Sequence, residues 1–145
     1  ANCLERQFGA ISSIKAEVVY GSESKSRIDL LLNSEKNNER NRKIYVEVKN
    51  TTWCEKSLAL FPDTETIRGQ KHLKELISVI PDSRALLIPC ISRSDMENFS
   101  PGDSADPIYG KLFREALSKG VEVIPCSFGF FLDHITWEGI KPIQI

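Results

Sequence analysis

Apolar and polar side chains alternate along residues 43–49, and this pattern predicts a β-strand with two different faces. The apolar set is Ile44, Val46 and Val48, and the other set is Tyr45, Glu47 and Lys49. Because successive side chains of a strand point to opposite faces, the apolar set is predicted to face the core. The opposite face then presents an acid and a lysine two residues apart.

The preceding segments predict two further strands and a hairpin. Residues 14–20 alternate in the same way, and residues 27–32 form an apolar run interrupted by Asp29. Residues 33–42 are all polar, which predicts a long exposed loop between two antiparallel strands. Asp29 is thereby expected on the strand next to Glu47. Residues 1–12 weakly indicate the last part of a helix that ends near Gly9.

Apolar residues three and four positions apart predict a helix that starts after Asp63 as N-cap and runs to about Ile80. Its buried stripe is predicted to consist of Leu73, Leu76, Ile77 and Ile80. Gly69 lies on this stripe one turn earlier, where the missing side chain would let the helix approach the sheet. An adjacent stripe consists of Arg68, His72 and Glu75.

A second helix is predicted to begin at Asp106 and Pro107 and to stop at Gly120. Its apolar face is Tyr109, Leu112, Phe113, Ala116 and Leu117. Residues 84–91 predict a strand buried on both faces, with Pro89 marking a bulge or an end of pairing. Strands are also predicted at 121–126 and, along an edge, at 127–137, whereas 53–61 and 92–102 are expected to be irregular.

This order of elements predicts the α/β class, with a mixed β-sheet flanked by helices on its faces. The 145 residues, of which 41% are hydrophobic, suit a single domain spanning 1–145. The net charge of −1 means that any basic surface must be local. No apolar run is long enough to span a bilayer. The spacing of the four cysteines does not favour a zinc cluster, and reduced thiols favour an intracellular protein of unassigned compartment.

The candidate chemistry lies on the two strands of the predicted hairpin. Asp29 and Glu47 would supply hard oxygen ligands for Mg²⁺, and Lys49 could contact a phosphate or a water. The acid–acid-x-lysine pattern also arises by chance, and a surface ion pair of Glu47 with Lys49 or Lys43 explains it equally well. The pattern alone leaves both interpretations open.

Seven short motifs, in order across nearly the whole chain, add a resemblance. They are Ser-Arg-Ile-Asp at 26–29, Tyr-Val-Glu-Val-Lys-Asn-Thr-Thr at 45–52, Phe-Pro-Asp-Thr at 61–64, Arg-Gly-Gln-Lys-His-Leu-Lys-Glu-Leu at 68–76, Phe-Ser-Pro at 99–101, Asp-Pro-x-Tyr at 106–109 and Gly-Val-Glu-Val at 120–123. Together they resemble the sugar fermentation stimulation protein A family. The resemblance implies a restriction-endonuclease-like PD-(D/E)xK core, DNA binding without sequence specificity, and a piece of a longer protein that lacks a preceding OB-like domain.

The resemblance also implies roles for individual residues. The catalytic set would be Asp29, Glu47 and Lys49, and a Mg²⁺ or Mn²⁺ ion would be held by Asp29, Glu47 and the carbonyl of Val48. The nucleic-acid surface would comprise Arg68, Gln70, Lys71 and His72, together with Arg40, Arg42 and Lys43 of the polar loop.

One departure from the family pattern affects the expected activity. Ile67 stands where the family usually has an acid, and Glu65 cannot replace it because a helix turns by about 100° per residue. We therefore expect weak metal binding and a nucleic-acid-binding domain whose nuclease-like hydrolase site is weak or degenerate. The alternative is a non-catalytic regulator or scaffold of sugar metabolism that acts through protein contacts.

Overall fold

The structure, a computed structural model, describes residues 9–21, 26–35 and 43–145. In the described residues the strands and helices follow one another as β1 (Ile11–Tyr20), β2 (Ser26–Ser34), β3 (Lys43–Thr51), β4 (Cys54–Glu55), β5 (Leu58–Phe61), α1 (Ile67–Val79), β6 (Arg84–Ile91), β7 (Asn98–Pro101), α2 (Pro107–Lys119), β8 (Glu122–Val123), β9 (Cys126–Phe130) and β10 (Ile135–Ile140). The weak helix signal before Gly9 lies outside the described residues.

The main sheet is mixed, as the sequence predicts. Its strand order is β1-β2-β3-β6-β9-β10, and β8 also pairs with β6. β2 and β3 form the predicted antiparallel hairpin, with Leu30 opposite Val46, and β3 then runs parallel to β6. Pro89 does not end this pairing, because it lies opposite Lys49 and β6 continues to Ile91. On its other edge β6 pairs first with β8 and then with β9. Pro89 lies between the residues that pair with these two strands.

A second, smaller sheet is missing from the sequence-based prediction. It has the order β4-β5-β7, with β4 and β5 antiparallel and β5 and β7 parallel. The segments 53–61 and 92–102, expected to be irregular, therefore contribute strands. Phe99 of β7 is fully buried, which ties this sheet to the core.

Helix α1 begins later than predicted. Thr66, not Asp63, is the N-cap, and its Oγ1 accepts a hydrogen bond from the amide of Gly69 at 3.0 Å. A Cβ on Gly69 would lie 2.7 Å from Thr66 Cγ2 and 3.3 Å from Tyr109 Cε2. The glycine therefore allows close approach to the capping residue and to α2, and not to the sheet as predicted.

Helix α2 agrees with its predicted ends. Asp106 is the N-cap and accepts from the amide of Tyr109 at 2.8 Å, and Pro107 is the first helical residue. Gly120 ends the helix in the left-handed region, with φ of 99°, which glycine adopts without a steric penalty.

Both described helices pack on the same face of the sheet. Leu73 and Leu76 of α1 and Phe113 of α2 are buried in one cluster with Ala85 and Leu87 of β6. The opposite face has a separate cluster of Leu32, Ile44, Val46, Leu86, Ile124 and Cys126. The predicted mixed sheet flanked by helices is therefore confirmed, and the two described helices share one of its faces.

The two faces of β3 largely follow the predicted alternation, with one correction at the end of the strand. Ile44 and Val46 are buried as predicted, but the side chain of Val48 is exposed. The pairing of β2 with β3 ends at Leu30 opposite Val46. Val48 therefore lies beyond the apolar cluster that buries Ile44 and Val46. No helix among the described residues is long and apolar enough to cross a membrane.

Candidate active site on β3 and α1

The centre of the candidate site is the buried carboxylate of Glu47. Its Oε1 accepts a hydrogen bond from Lys49 Nζ at 2.6 Å and forms a second hydrogen bond with His72 Nδ1. Lys49 Nζ also lies 3.0 Å from His72 Nδ1. Because an Nδ1 that donates to Glu47 cannot accept from Lys49, Glu47 is the acceptor for both neighbours. The predicted surface ion pair is therefore a buried cluster that includes a residue from α1.

The environment of Glu47 favours its ionised form. Burial by itself raises the pKa of this carboxyl, but hydrogen bonds from His72 and Lys49 and the charge of Lys49 outweigh it and lower the pKa below its ordinary value. Glu47 is only 2% exposed. The site thus holds a negative charge within the fold.

Several buried polar atoms around Glu47 make no hydrogen bond to the described residues. They are Glu47 Oε2, Glu75 Oε2 and the hydroxyls of Tyr20 and Tyr109. The pKa of Tyr20 is raised by burial and by the charges of Glu47, Glu75 and Asp29. That of Tyr109 is raised by burial and by the charges of Glu47 and Asp106. Unpaired buried polar atoms are rare, so this cluster calls for an explanation.

Asp29 lies on β2 at a point where the pairing between β1 and β2 is irregular. On β1, Ala16 is opposite Leu30 and Val18 is opposite Ile28, while Glu17, with φ of 54°, interrupts the ladder next to Asp29. On the other side of β2 the ladder with β3 ends at Leu30 opposite Val46, and the backbone amide of Val48 donates instead to Asp29 Oδ2 at 2.7 Å. This bond places the acid beside the backbone that follows Glu47.

The predicted metal ligands are close neighbours, but they do not form a closed metal site. In the ranges 9–21, 26–35 and 43–145, no group of three His, Cys, Asp or Glu side chains could hold a metal ion as the side chains stand. The donor set nevertheless suits a hard divalent cation, because it consists of carboxylate oxygens and Glu47 Oε2 has no partner among the described residues. Lys49 and His72 occupy only Oε1.

The predicted nucleic-acid residues are divided between several places. Arg68 and Lys71 are exposed on α1, whereas His72 is buried against Glu47 and does not face solvent. Gln70 is also buried, and its Nε2 donates to both oxygens of Asp106 at 3.1 and 3.0 Å. The structure therefore does not bring Gln70 to the cluster.

The other predicted positions lie away from the cluster or outside the described residues. Lys43 is exposed at the start of β3, about 13 Å along the strand from Glu47. Arg40 and Arg42 lie outside the described residues. Ile67, where an acid is expected, is 68% exposed on the first turn of α1.

Glu75 and Tyr20 lie near Glu47 without a predicted role at the site, and Asp106 has a contact beyond its predicted place at the start of α2. Glu75 lies on the same predicted helical stripe as Arg68 and His72. The spacing therefore indicated that it shares their face of α1. Tyr20 ends β1 and stacks on Tyr45 with ring centroids 5.6 Å apart, which no local pattern indicates. Asp106 contacts α1 across a sequence separation of about 40 residues, because it accepts from the amide of Thr66 at 2.9 Å.

Comparison with known families agrees with these features. The sugar fermentation stimulation protein RE domain matches residues 1–133. The chain belongs to this family. A sugar fermentation stimulation protein homolog from Prochlorococcus marinus strain NATL2A is 79% identical over 144 residues, and one from Parasynechococcus marenigrum strain WH8102 is 61% identical over 144 residues.

These sugar fermentation stimulation relatives are longer than the chain. The alignments cover 99% of this chain but 56% and 57% of the two relatives, so the chain spans little more than half their length. The solved structure of Pyrococcus furiosus SfsA in complex with Ca²⁺ matches with a TM-score of 0.87 and 30% identity, over 98% of this chain and 59% of that chain. The prediction of a mixed α/β, nuclease-like fold is confirmed.

Proposed function

We propose that this domain binds the phosphate backbone of DNA without sequence specificity and has a Mg²⁺- or Mn²⁺-dependent phosphodiesterase site at Asp29, Glu47 and Lys49. The observation that supports it best is the buried Glu47 carboxylate, with Lys49 and His72 on one oxygen and no described partner on the other. A Ca²⁺ complex of the Pyrococcus furiosus relative is consistent with divalent-cation binding in the family.

Each residue of the proposed site has a separate task. Asp29, Glu47 and the carbonyl of Val48 would hold the cation. The chemistry supplied by a divalent cation held there would be to lower the pKa of a bound water and to polarise the phosphate. The Lys49 side chain is 14% exposed, and its ammonium would stabilise the negative charge that develops on a phosphate oxygen. His72 positions the Glu47 carboxylate through its hydrogen bond to Oε1.

The DNA-binding surface would lie on the exposed side of α1. Arg68 and Lys71 are three residues apart, so they are neighbours on the helix surface. The Lys71 ammonium lies 3.7 Å from Glu75 Oε1, a loose ion pair that leaves it available to a phosphate. Phosphate contacts of this kind position the duplex and do not discriminate between sequences.

The test of DNA binding is a salt titration of affinity for a short duplex. For each phosphate contact, affinity falls by about 0.9 log units per log unit of salt. The double variant Arg68→Ala/Lys71→Ala should weaken binding and flatten the slope by about two contacts. The matched control is Lys111→Ala/Lys119→Ala, which removes two exposed charges from α2. Equal slopes for wild type and the α1 double variant would contradict the proposed surface and favour the protein-contact scaffold.

The test of cleavage uses single- and double-stranded DNA with Mg²⁺ or Mn²⁺. Asp29→Ala should abolish cleavage and leave DNA binding intact or tighter, because it removes a negative charge near the phosphate. Asp133→Ala, an exposed acid in the turn between β9 and β10, is the control. If wild type cleaves neither substrate yet binds DNA, the domain is a binding module with a degenerate site. If Asp29→Ala cleaves as wild type does, the assigned site is wrong.

A further inference from the structure

Glu75 is a carboxylate at the candidate site to which neither the sequence patterns nor the family resemblance gives a task. It lies on α1 one turn after His72, the residue that meets Glu47. A Cβ built on Gly21 would come within 3.0 Å of Glu75 Oε1, so Glu75 reaches from the helix to the end of β1. Its side chain is 13% exposed, and its Oε2 is buried with no partner among the described residues.

Tyr20 links Glu75 to Glu47 in space. It directly precedes Gly21, and it stacks on Tyr45. Tyr45 lies two residues before Glu47, so both point to the same face of β3. Tyr20 is 5% exposed, and its hydroxyl also has no partner within the described part of the chain. Burial raises the pKa of this hydroxyl, and the charges of Glu47, Glu75 and Asp29 raise it further.

Unpartnered carboxylate oxygens in this region favour a cation. Glu47 meets Lys49 and His72 through Oε1 alone. Glu75 is paired only loosely, with Lys71 at 3.7 Å from its Oε1. Asp29, which is half-buried, accepts from a backbone amide and has no cation partner among the described residues. Buried polar atoms without a partner are rare, so the second oxygen of each buried acid calls for a ligand. The Oε2 atoms of Glu47 and Glu75 are the acceptors that remain for such an ion.

We propose that Glu75 is a third carboxylate ligand of the divalent cation, contributed by α1 through Oε2, with the Tyr20 hydroxyl at the edge of the same site. This inference rests on the proposed function, because it concerns the same cation. Among the described residues the acids do not form a group that could hold an ion as they stand. The inference therefore requires the side chains of Glu47 and Glu75 to rotate towards the ion when it binds. Ca²⁺ accepts this variety of oxygen ligands more readily than Mg²⁺, which demands a near-octahedral arrangement.

The experiment is a calorimetric titration of the 145-residue chain with Mn²⁺ and with Ca²⁺. The variants are Glu75→Gln and Glu47→Gln, each of which replaces one carboxylate oxygen and keeps the size of the side chain. Loss of a partner in the outer shell of a metal site already costs 10–100-fold in affinity, so loss of a ligand should weaken binding by about tenfold or more. Glu115→Gln on α2, an exposed acid, is the matched control and should bind as wild type does.

Two additional variants separate a ligand from a merely structural residue. Lys71→Ala removes the cation that pairs with Glu75 and keeps the carboxylate, so it should bind Mn²⁺ as tightly as wild type or more tightly. Glu75→Asp keeps the charge on a shorter side chain and should bind more weakly than wild type but more tightly than Glu75→Gln. Thermal unfolding in EDTA verifies that each variant is folded, and Glu75→Asp replaces Glu75→Gln if the latter does not fold.

The outcomes distinguish this inference from the function on which it rests. If Glu47→Gln weakens Mn²⁺ binding but Glu75→Gln and Glu75→Asp bind as wild type does, Glu75 is not a ligand and the proposed function survives. If the wild-type chain binds neither cation, the proposed metal-dependent function fails together with the inference. Weakening by both Gln variants, with Glu115→Gln unaffected, supports a site that includes α1.

Discussion

Asp106 is the residue whose removal should disturb both helices at once. Its carboxylate caps α2 by accepting from the Tyr109 amide at 2.8 Å. The same carboxylate accepts from the Thr66 amide at 2.9 Å and from Gln70 Nε2 at 3.0 and 3.1 Å, and so fixes the first turn of α1. It is 1% exposed, and water cannot easily replace these bonds.

The cost of Asp106→Ala follows from these partners. Loss of an N-cap acceptor costs about 1 kcal/mol. Each buried donor left without an acceptor costs about 1–3 kcal/mol, and the Thr66 amide and the Gln70 side chain are two such donors. We therefore expect a loss of about 3–7 kcal/mol in the free energy of unfolding, a large share of the stability of a typical domain.

The assay is urea unfolding followed by circular dichroism, and the chain offers a close control. Asp103, three residues earlier, is an exposed acid paired with Arg114 at 2.7 Å. An exposed ion pair contributes about 0–1 kcal/mol, so Asp103→Ala should shift the urea midpoint little. Asp106→Asn keeps an acceptor for the cap and should fall between the two alanine variants. Equal midpoints for Asp106→Ala and Asp103→Ala would refute the assignment of a shared cap.

The pH dependence gives an independent check. Burial raises the pKa of Asp106, but hydrogen bonds from Gln70, Thr66 and Tyr109 outweigh it, and the folded pKa lies below the ordinary value. A depressed carboxyl pKa stabilises the fold above the unfolded pKa of about 4, and this contribution disappears as the pH falls through the folded pKa. The difference in stability between wild type and Asp106→Ala should therefore narrow on acidification below about pH 4. A constant difference would mean that the charge is not involved.

Three further predictions concern the site and the core. His72→Ala should weaken both Mn²⁺ binding and cleavage, because it removes the hydrogen bond that positions Glu47. Calorimetry measures the Mn²⁺ affinity, and His72→Asn should restore part of it. Ile67→Glu should tighten Mg²⁺ or Mn²⁺ binding, and an unchanged calorimetric affinity would place position 67 outside the metal shell. Phe113→Ala in the core should cost about 3–5 kcal/mol in urea unfolding, whereas Phe130→Ala, at 55% exposure, should cost about 0.5 kcal/mol or less.

Local patterns were sufficient to predict the hairpin and both helices. Alternation placed Glu47 and Lys49 on one face of β3, and the polar loop predicted that β2 pairs with β3. The start of α1 could not be decided in this way, because Asp63 and Thr66 are both good caps. Thr66 is favoured by a hydrogen bond between its amide and Asp106, a contact that no local window contains.

The small sheet escaped prediction for a related physical reason. β4 has two residues and β5 and β7 have four each, too few for alternation to be recognised. Its pairs join residues about 40 positions apart, such as Ala59 and Phe99. The role of His72 was missed similarly: helical spacing gives the face on which a residue lies, but not the strand residue that it meets.

Glu47 occupies a position at which stability alone would favour an apolar residue. It follows Val46 on a central strand and is buried beneath α1, and replacing buried ion pairs by apolar groups is often neutral or stabilising. Here the acid has a lysine and a histidine on one oxygen, while its other oxygen and two neighbouring tyrosine hydroxyls lack partners in the described residues. Such departures from stable packing are expected where selection acts on a site, because binding then offsets what folding loses. A cation that satisfies these oxygens should stabilise the fold as well, so the unfolding temperature should rise with Mn²⁺ concentration in wild type.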